Sequence, residues 1–70
     1  MNRMAVSSDN IVSIGWDAGS EVLEVEFKRG AVYQYERVPQ SVFNGLMGAS
    51  SHGGYLADRV KGVYEYRRVS

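Results

Sequence analysis

The sequence contains no cysteine, and its 70 residues include only one histidine and one proline. Without cysteine it has neither a disulfide nor a thiolate zinc site, and one histidine cannot build a metal site alone. Long apolar runs are also missing, since no stretch approaches the roughly 18 residues of a membrane span. No basic segment followed by an apolar one opens the chain, so we expect a cytoplasmic protein that binds no membrane. From the missing cysteine and the single histidine we expect no metal, and we expect no other cofactor.

An excess of charge of one sign is also missing, because eight lysines and arginines balance eight aspartates and glutamates. Domains that hold nucleic acid mainly by its phosphates usually carry a positive excess, since counterion release supplies much of the affinity. This balance counts against tight non-specific binding of nucleic acid. At this length we expect one domain over residues 1–70, with residues 1–7 loose. Its core alone supplies only about 3–5 kcal/mol, so oligomerisation is a further source of stability.

Alternation of apolar residues predicts two strands, over residues 11–17 and 21–28. The first places Val12, Ile14 and Trp16 on one face. The second alternates apolar and charged residues throughout, which is the clearest signal in the chain. Turn-forming residues separate the two strands, so the pattern predicts an antiparallel pair.

The loop after the second strand decides where Tyr33 and Tyr35 lie. A two-residue loop would place both tyrosines on the polar face, above glutamates. A three-residue loop over 28–30, with Gly30 in the left-handed conformation, places Tyr33 opposite Val25 and all large residues on one face. Glycine at the third loop position favours this second arrangement, and both tyrosines are then largely core residues. The alternative is a pair of exposed rings on which RNA bases stack.

Beyond Pro39 the spacing of apolar residues changes to that of a helix, with Val42 and Leu46 in its apolar stripe. A second short helix, capped by Ser50 or Ser51, ends near Gly62. Residues 63–69 alternate again, as a fourth strand or an extended arm. We therefore predict an α+β fold, a three-stranded antiparallel meander with two short helices on one face and a fourth strand available from the tail. The expected core is Trp16, Leu23, Val25, Phe27, Tyr33, Tyr35, Phe43, Leu46, Leu56 and Val60.

The order of these residues resembles a known family, the KTSC domain, named for its occurrence at the C-terminus of some lysyl-tRNA synthetases. The resemblance runs over residues 8–68 and is carried by these family-motif positions: Tyr33, Tyr35, Ser51, Gly53 and Tyr55. Leu56 and Ala57 stand where the family has an aromatic residue and an asparagine. The resemblance implies the fold above and no established activity, with RNA binding as a suggestion from the synthetase connection.

Residue types used in catalysis or ligand binding occur close together at three places: Ser51 and His52 with Asp58, Glu24 with Glu26, and Gly53 with Gly54. An enzyme would use the first as nucleophile, base and orienting group. Neighbouring side chains at a helix start rarely point at one another, so capping and a surface histidine are favoured. The glutamates suit an exposed strand face with lysine and arginine nearby, and the two glycines lack a phosphate-loop pattern. We expect no catalytic residues.

The remaining candidate is a basic, tyrosine-rich segment near the C-terminus, whose binding residues are Arg59, Lys61, Tyr64, Tyr66, Arg67 and Arg68. Tyrosine and arginine are enriched at protein interfaces, and rings interleaved with cations also bind single-stranded RNA. Two function classes are favoured: a non-catalytic module that binds a protein partner or forms a homodimer, and a module that binds RNA or tRNA. An enzyme is the least favoured class.

Overall fold

The computed structural model describes residues 1–70. Its elements in chain order are β1 (Met4–Ala5), β2 (Ile11–Asp17), β3 (Val22–Phe27), β4 (Val32–Tyr35), α1 (Gln40–Gly48), α2 (His52–Arg59) and β5 (Tyr66–Arg68). The strands form one antiparallel sheet in the order β1-β2-β3-β4-β5. The predicted α+β class is confirmed, and the tail does form a strand. The sheet has five strands, however, because β1 was not predicted.

Strand β1 corrects the expectation that residues 1–7 are loose. Met4 pairs with Ile14, and Ala5 pairs with Ser13. The preceding residue, Arg3, lies across the sheet, where its guanidinium donates to the carboxylate of Glu24 at 2.6 Å. Two residues are too few for an alternating pattern, so nothing in the local sequence announced this strand.

A bulge in β2 corrects the predicted position of Val12. The register shifts between Ile11 and Ser13, where Ile11 pairs with Phe27. Because the extra residue reverses the alternation, Ile11 and Ile14 are both buried in the core and Val12 is 37% exposed.

The three-residue loop between β3 and β4 is confirmed. Tyr33 pairs with Val25 in β3, and Gly30 has a φ of 100°. Tyr35 is only 1% exposed, whereas Tyr33 is partly exposed at the margin of the core. Both tyrosines therefore lie on the core side of the sheet, as the glycine position predicted.

The two helices pack on this same side of the sheet. Leu46 of α1 and Leu56 of α2 belong to a core of ten buried residues: Ile11, Ile14, Leu23, Val25, Phe27, Tyr35, Val38, Leu46, Leu56 and Val60. Trp16, Tyr33 and Phe43, expected in the core, lie at its margin, where the rings of Trp16 and Phe43 stack with centroids 5.6 Å apart. Neither helix has the length and hydropathy needed to cross a membrane.

Candidate binding surface at the fifth strand

Strand β5 forms one edge of the sheet, and all three of its residues are exposed. The carbonyl oxygen of Glu65 accepts a hydrogen bond from the chain beyond β4, and the amide of Val69 donates one to β4, both at 2.8 Å. Backbone groups of an edge strand alternate in direction, so those of Tyr66 and Arg68 point away from the sheet. The edge therefore presents unpaired donors and acceptors to a further strand.

Three aromatic rings from neighbouring strands form a row that leads to this edge. Phe27 of β3 contacts Tyr33 of β4 edge to face, and Tyr33 stacks on Tyr66 of β5, with both pairs of centroids 5.5 Å apart. Phe27 is 3% exposed and Tyr66 is 59% exposed, so the row runs from the core to the surface. We call these three residues the aromatic row.

Two cationic side chains lie over the aromatic row. The guanidinium carbon of Arg29 is 5.2 Å from the ring centroid of Phe27 and 5.8 Å from that of Tyr33. The Lys61 ammonium is 5.4 Å from the Phe27 centroid. Arg29 was not among the predicted binding residues, because only the register of the β3–β4 loop turns it back over the rings.

The structure brings together part of the segment that the sequence singled out. Arg68 pairs with Tyr33, so its side chain shares a sheet face with Tyr66, and Lys61 reaches the buried end of the aromatic row. Tyr64 is half-buried and packs against the core. Arg59 lies on α2, with its guanidinium 6.0 Å from the ring centroid of Tyr55.

Arg67 lies on the opposite, helix-free face of the sheet. There it donates to Gln34 at 3.4 Å, and Gln34 donates to Glu24 at 2.8 Å. Arg3 completes this chain of polar contacts by pairing with both Glu24 and Glu26. The two glutamates are therefore balanced by a residue before β1, which the sequence did not indicate.

The side chains weighed as catalytic candidates have other partners. The hydroxyl of Ser51 accepts the Gly54 amide at 3.1 Å, which caps α2, while Nδ1 of His52 is 2.8 Å from the carbonyl oxygen of Leu46. Gly53 lies in the first turn of α2 beside a polar cleft of about 800 Å³. No cluster of three histidine, aspartate or glutamate side chains is close enough to hold a metal ion.

Tyr35, a motif position beneath the row, has a perturbed ionisation. Burial raises the pKa of the Tyr35 hydroxyl to about 12, with smaller contributions from Tyr33 and Tyr66. Desolvation disfavours a phenolate, so Tyr35 stays neutral far into the alkaline range. Its position and charge state are those of a core residue beneath the exposed Tyr66 ring.

Comparison with known proteins identifies the family. Residues 7–69 match the family model of the KTSC domain. The chain belongs to the KTSC domain family. A KTSC domain protein of Yersinia pestis has the same fold, with a TM-score of 0.93 and 36% identity over 99% of this chain and 97% of that one.

Other KTSC relatives differ in length. A protein of Stutzerimonas stutzeri is 40% identical over 70 aligned residues, which cover 99% of this chain and 99% of that protein. A lysine–tRNA ligase of Trichormus variabilis is 34% identical over 55 residues, which are 79% of this chain and 10% of the ligase. This KTSC domain therefore resembles both a protein of its own length and a small part of a much longer enzyme.

Proposed function

We propose that this KTSC domain is a non-catalytic, cytoplasmic protein-binding module that takes up an extended protein segment at the β5 edge. The observation that carries the proposal is the open backbone of Tyr66 and Arg68 beside an exposed tyrosine ring. Strand addition at such an edge gains affinity from main-chain hydrogen bonds and specificity from side chains at alternate positions.

The side chains at this edge suit a protein interface. Tyrosine and arginine are among the residues that contribute most to binding energy. Tyr66 is stacked on Tyr33, with 20° between the ring planes, so the exposed ring has little freedom to lose when a partner covers it. The side chains of Ser51 and His52, in contrast, are already bonded within the fold, which supports a role without catalysis.

Site-specific photo-crosslinking in cells tests this proposal. Benzoylphenylalanine replaces Tyr66 in one variant and Ser41, an exposed residue of α1, in a control. We expect light-dependent protein adducts from position 66 and few from position 41, with the adducts identified by mass spectrometry. Equal yields of adducts at the two positions, or none at either, would contradict binding at β5.

RNA binding is a second candidate, favoured by the similarity to part of a lysine–tRNA ligase and by the cations over the aromatic row. A titration with bulk tRNA, followed by backbone-amide NMR at low and near-physiological salt, tests it. Binding predicts shifts at Lys61, Tyr66 and Arg68 that persist at the higher salt and weaken in an Arg67→Ala/Arg68→Ala variant. The control Lys28→Ala should leave the shifts unchanged. Absence of shifts at both salt concentrations would remove this candidate.

A further inference from the structure

Resting on the proposed function and deepening it, we propose that the segment taken up at β5 is β5 of a second copy of this chain. The two strands pair antiparallel about a two-fold axis at Tyr66, which joins two sheets into one. In a two-fold dimer, both subunits contribute the same edge strand to the interface. Such an edge pairs well with its own copy when it carries opposite charges at positions that face each other. The charges of residues 65–68 meet this condition in only one register.

The direction of the backbone groups limits the registers. Tyr66 and Arg68 carry the outward donors and acceptors, so two-fold pairings along β5 are centred on Tyr66, on Arg67 or on Arg68. An axis at Arg67 sets its guanidinium against that of the same residue in the second copy, and an axis at Arg68 does likewise. Like charges directly opposite each other destabilise strand pairing.

An axis at Tyr66 places Glu65 opposite Arg67 of the second copy, and symmetry makes this contact twice. These positions form the pair without mutual backbone hydrogen bonds, in which side chains of antiparallel strands come closest. Glu65 already accepts from Arg37 at 2.9 Å at an exposed site, so the incoming arginine extends an existing ion pair. The hydrogen bond from Arg67 to Gln34 is long, at 3.4 Å, so Arg67 can readily exchange it for the ion pair with Glu65 of the second copy.

The aromatic row supports the same register. Tyr66 is the exposed end of the row and lies opposite its own copy in this pairing. The two rings then have equivalent neighbours, with each Tyr33 stacked behind its Tyr66. The most exposed aromatic side chain of the domain, at 59%, becomes covered at the centre of the interface.

The test is sedimentation equilibrium up to a protein concentration of about 1 mM, since a three-residue edge gives a small and weak interface. We expect the wild type to dimerise and the single variants Glu65→Lys and Arg67→Glu to lose about tenfold or more in association constant. The double variant restores the opposite charges and should dimerise again. An equimolar mixture of the two single variants should form a heterodimer for the same reason. Lys28→Glu, a matched charge change on an exposed residue outside β5, should have no effect.

A second measurement guards against variants that fail to fold. In the wild type, the Tyr66 amide donates across the axis, so its hydrogen exchange should slow as the concentration rises, whereas the amides of β1 should not change. A wild type that is monomeric throughout, or single variants that dimerise as it does, would overturn the inference. Adducts with other proteins at position 66 of a monomeric domain would then leave the proposed function standing. If position 66 formed no adduct with any protein, the proposed function and the dimer proposal would both be removed.

Discussion

The contact between the two helices gives a sharp test of the fold, because it sets two effects of one substitution against each other. Gly45 lies in the middle of α1, where alanine is favoured over glycine by about 1 kcal/mol. A Cβ at this position, however, would lie 2.7 Å from Cζ of Tyr55 in α2 and closer still to the hydroxyl oxygen. Carbon atoms in ordinary contact are about 3.5–4.0 Å apart, so the ring must move.

We expect the steric effect to dominate. Overpacking of a fitted contact costs about 1–3 kcal/mol, which exceeds the gain in helix propensity in most of that range. Gly45→Ala should therefore lower the free energy of unfolding by up to about 2 kcal/mol. Gly48→Ala, in the last position of the same helix, is the matched control, since an added methyl carbon there would meet no atom within 4 Å. It should be neutral or stabilising by up to about 1 kcal/mol.

Urea unfolding of a double-mutant cycle isolates the contact. In a Tyr55→Leu background the ring is absent, so Gly45→Ala should become stabilising. The coupling free energy between the two substitutions should exceed about 1 kcal/mol. If Gly45→Ala stabilised the wild type as much as Gly48→Ala does, the packing of Tyr55 on Gly45 would be wrong. The Tyr55 ring would then not be fixed against α1.

Three further outcomes follow from particular contacts. Gly30→Ala should destabilise by about 1 kcal/mol in urea unfolding because of its φ of 100°, whereas Glu21→Gly, at a φ of 55°, should be neutral or stabilising. The raised pKa of Tyr35 means that the folded state keeps a proton that the unfolded state releases near pH 10. The free energy of unfolding should therefore fall by about 2–3 kcal/mol in total between about pH 10 and 12, as measured by thermal unfolding. The Tyr35→Phe variant should not show this pH dependence. Arg3→Ala should cost about 1–2 kcal/mol, because Glu24 loses a charged partner at 2.6 Å, and unchanged stability would contradict the contact.

The parts of the fold that were predicted correctly are those governed by local chemistry. The alternation of β3, the glycine at the third loop position and the proline before α1 each act within a few residues, and each predicted the element that forms. The bulge at Val12 and strand β1 were missed. Both depend on pairing with a distant strand, and neither alters local composition enough to be read from it.

In the candidate site, too, local sequence predicted some features, whereas others depend on contacts between distant parts of the chain. Composition identified Tyr66 and Arg68, but it could not show that Arg67 faces the other side of the sheet or that Arg29 lies over the aromatic row. The face on which Arg67 lies depends on the register between β4 and β5, where a shift of one residue would exchange the two faces. The position of Arg29 depends on the loop between β3 and β4.

The register also sets how closely the charges approach each other in the proposed dimer. In the observed register the outward backbone groups belong to Tyr66 and Arg68, and the charges that face a two-fold copy through Tyr66 are opposite in sign. Had the outward groups belonged to Glu65 and Arg67, an axis at Tyr66 would still have set these two charges opposite each other, but as a pair with mutual backbone hydrogen bonds, in which the side chains lie farther apart. The strength of the charge contact across the axis therefore depends on the register between β4 and β5 as well as on the presence of opposite charges. The exchange of charge between positions 65 and 67 tests that register directly.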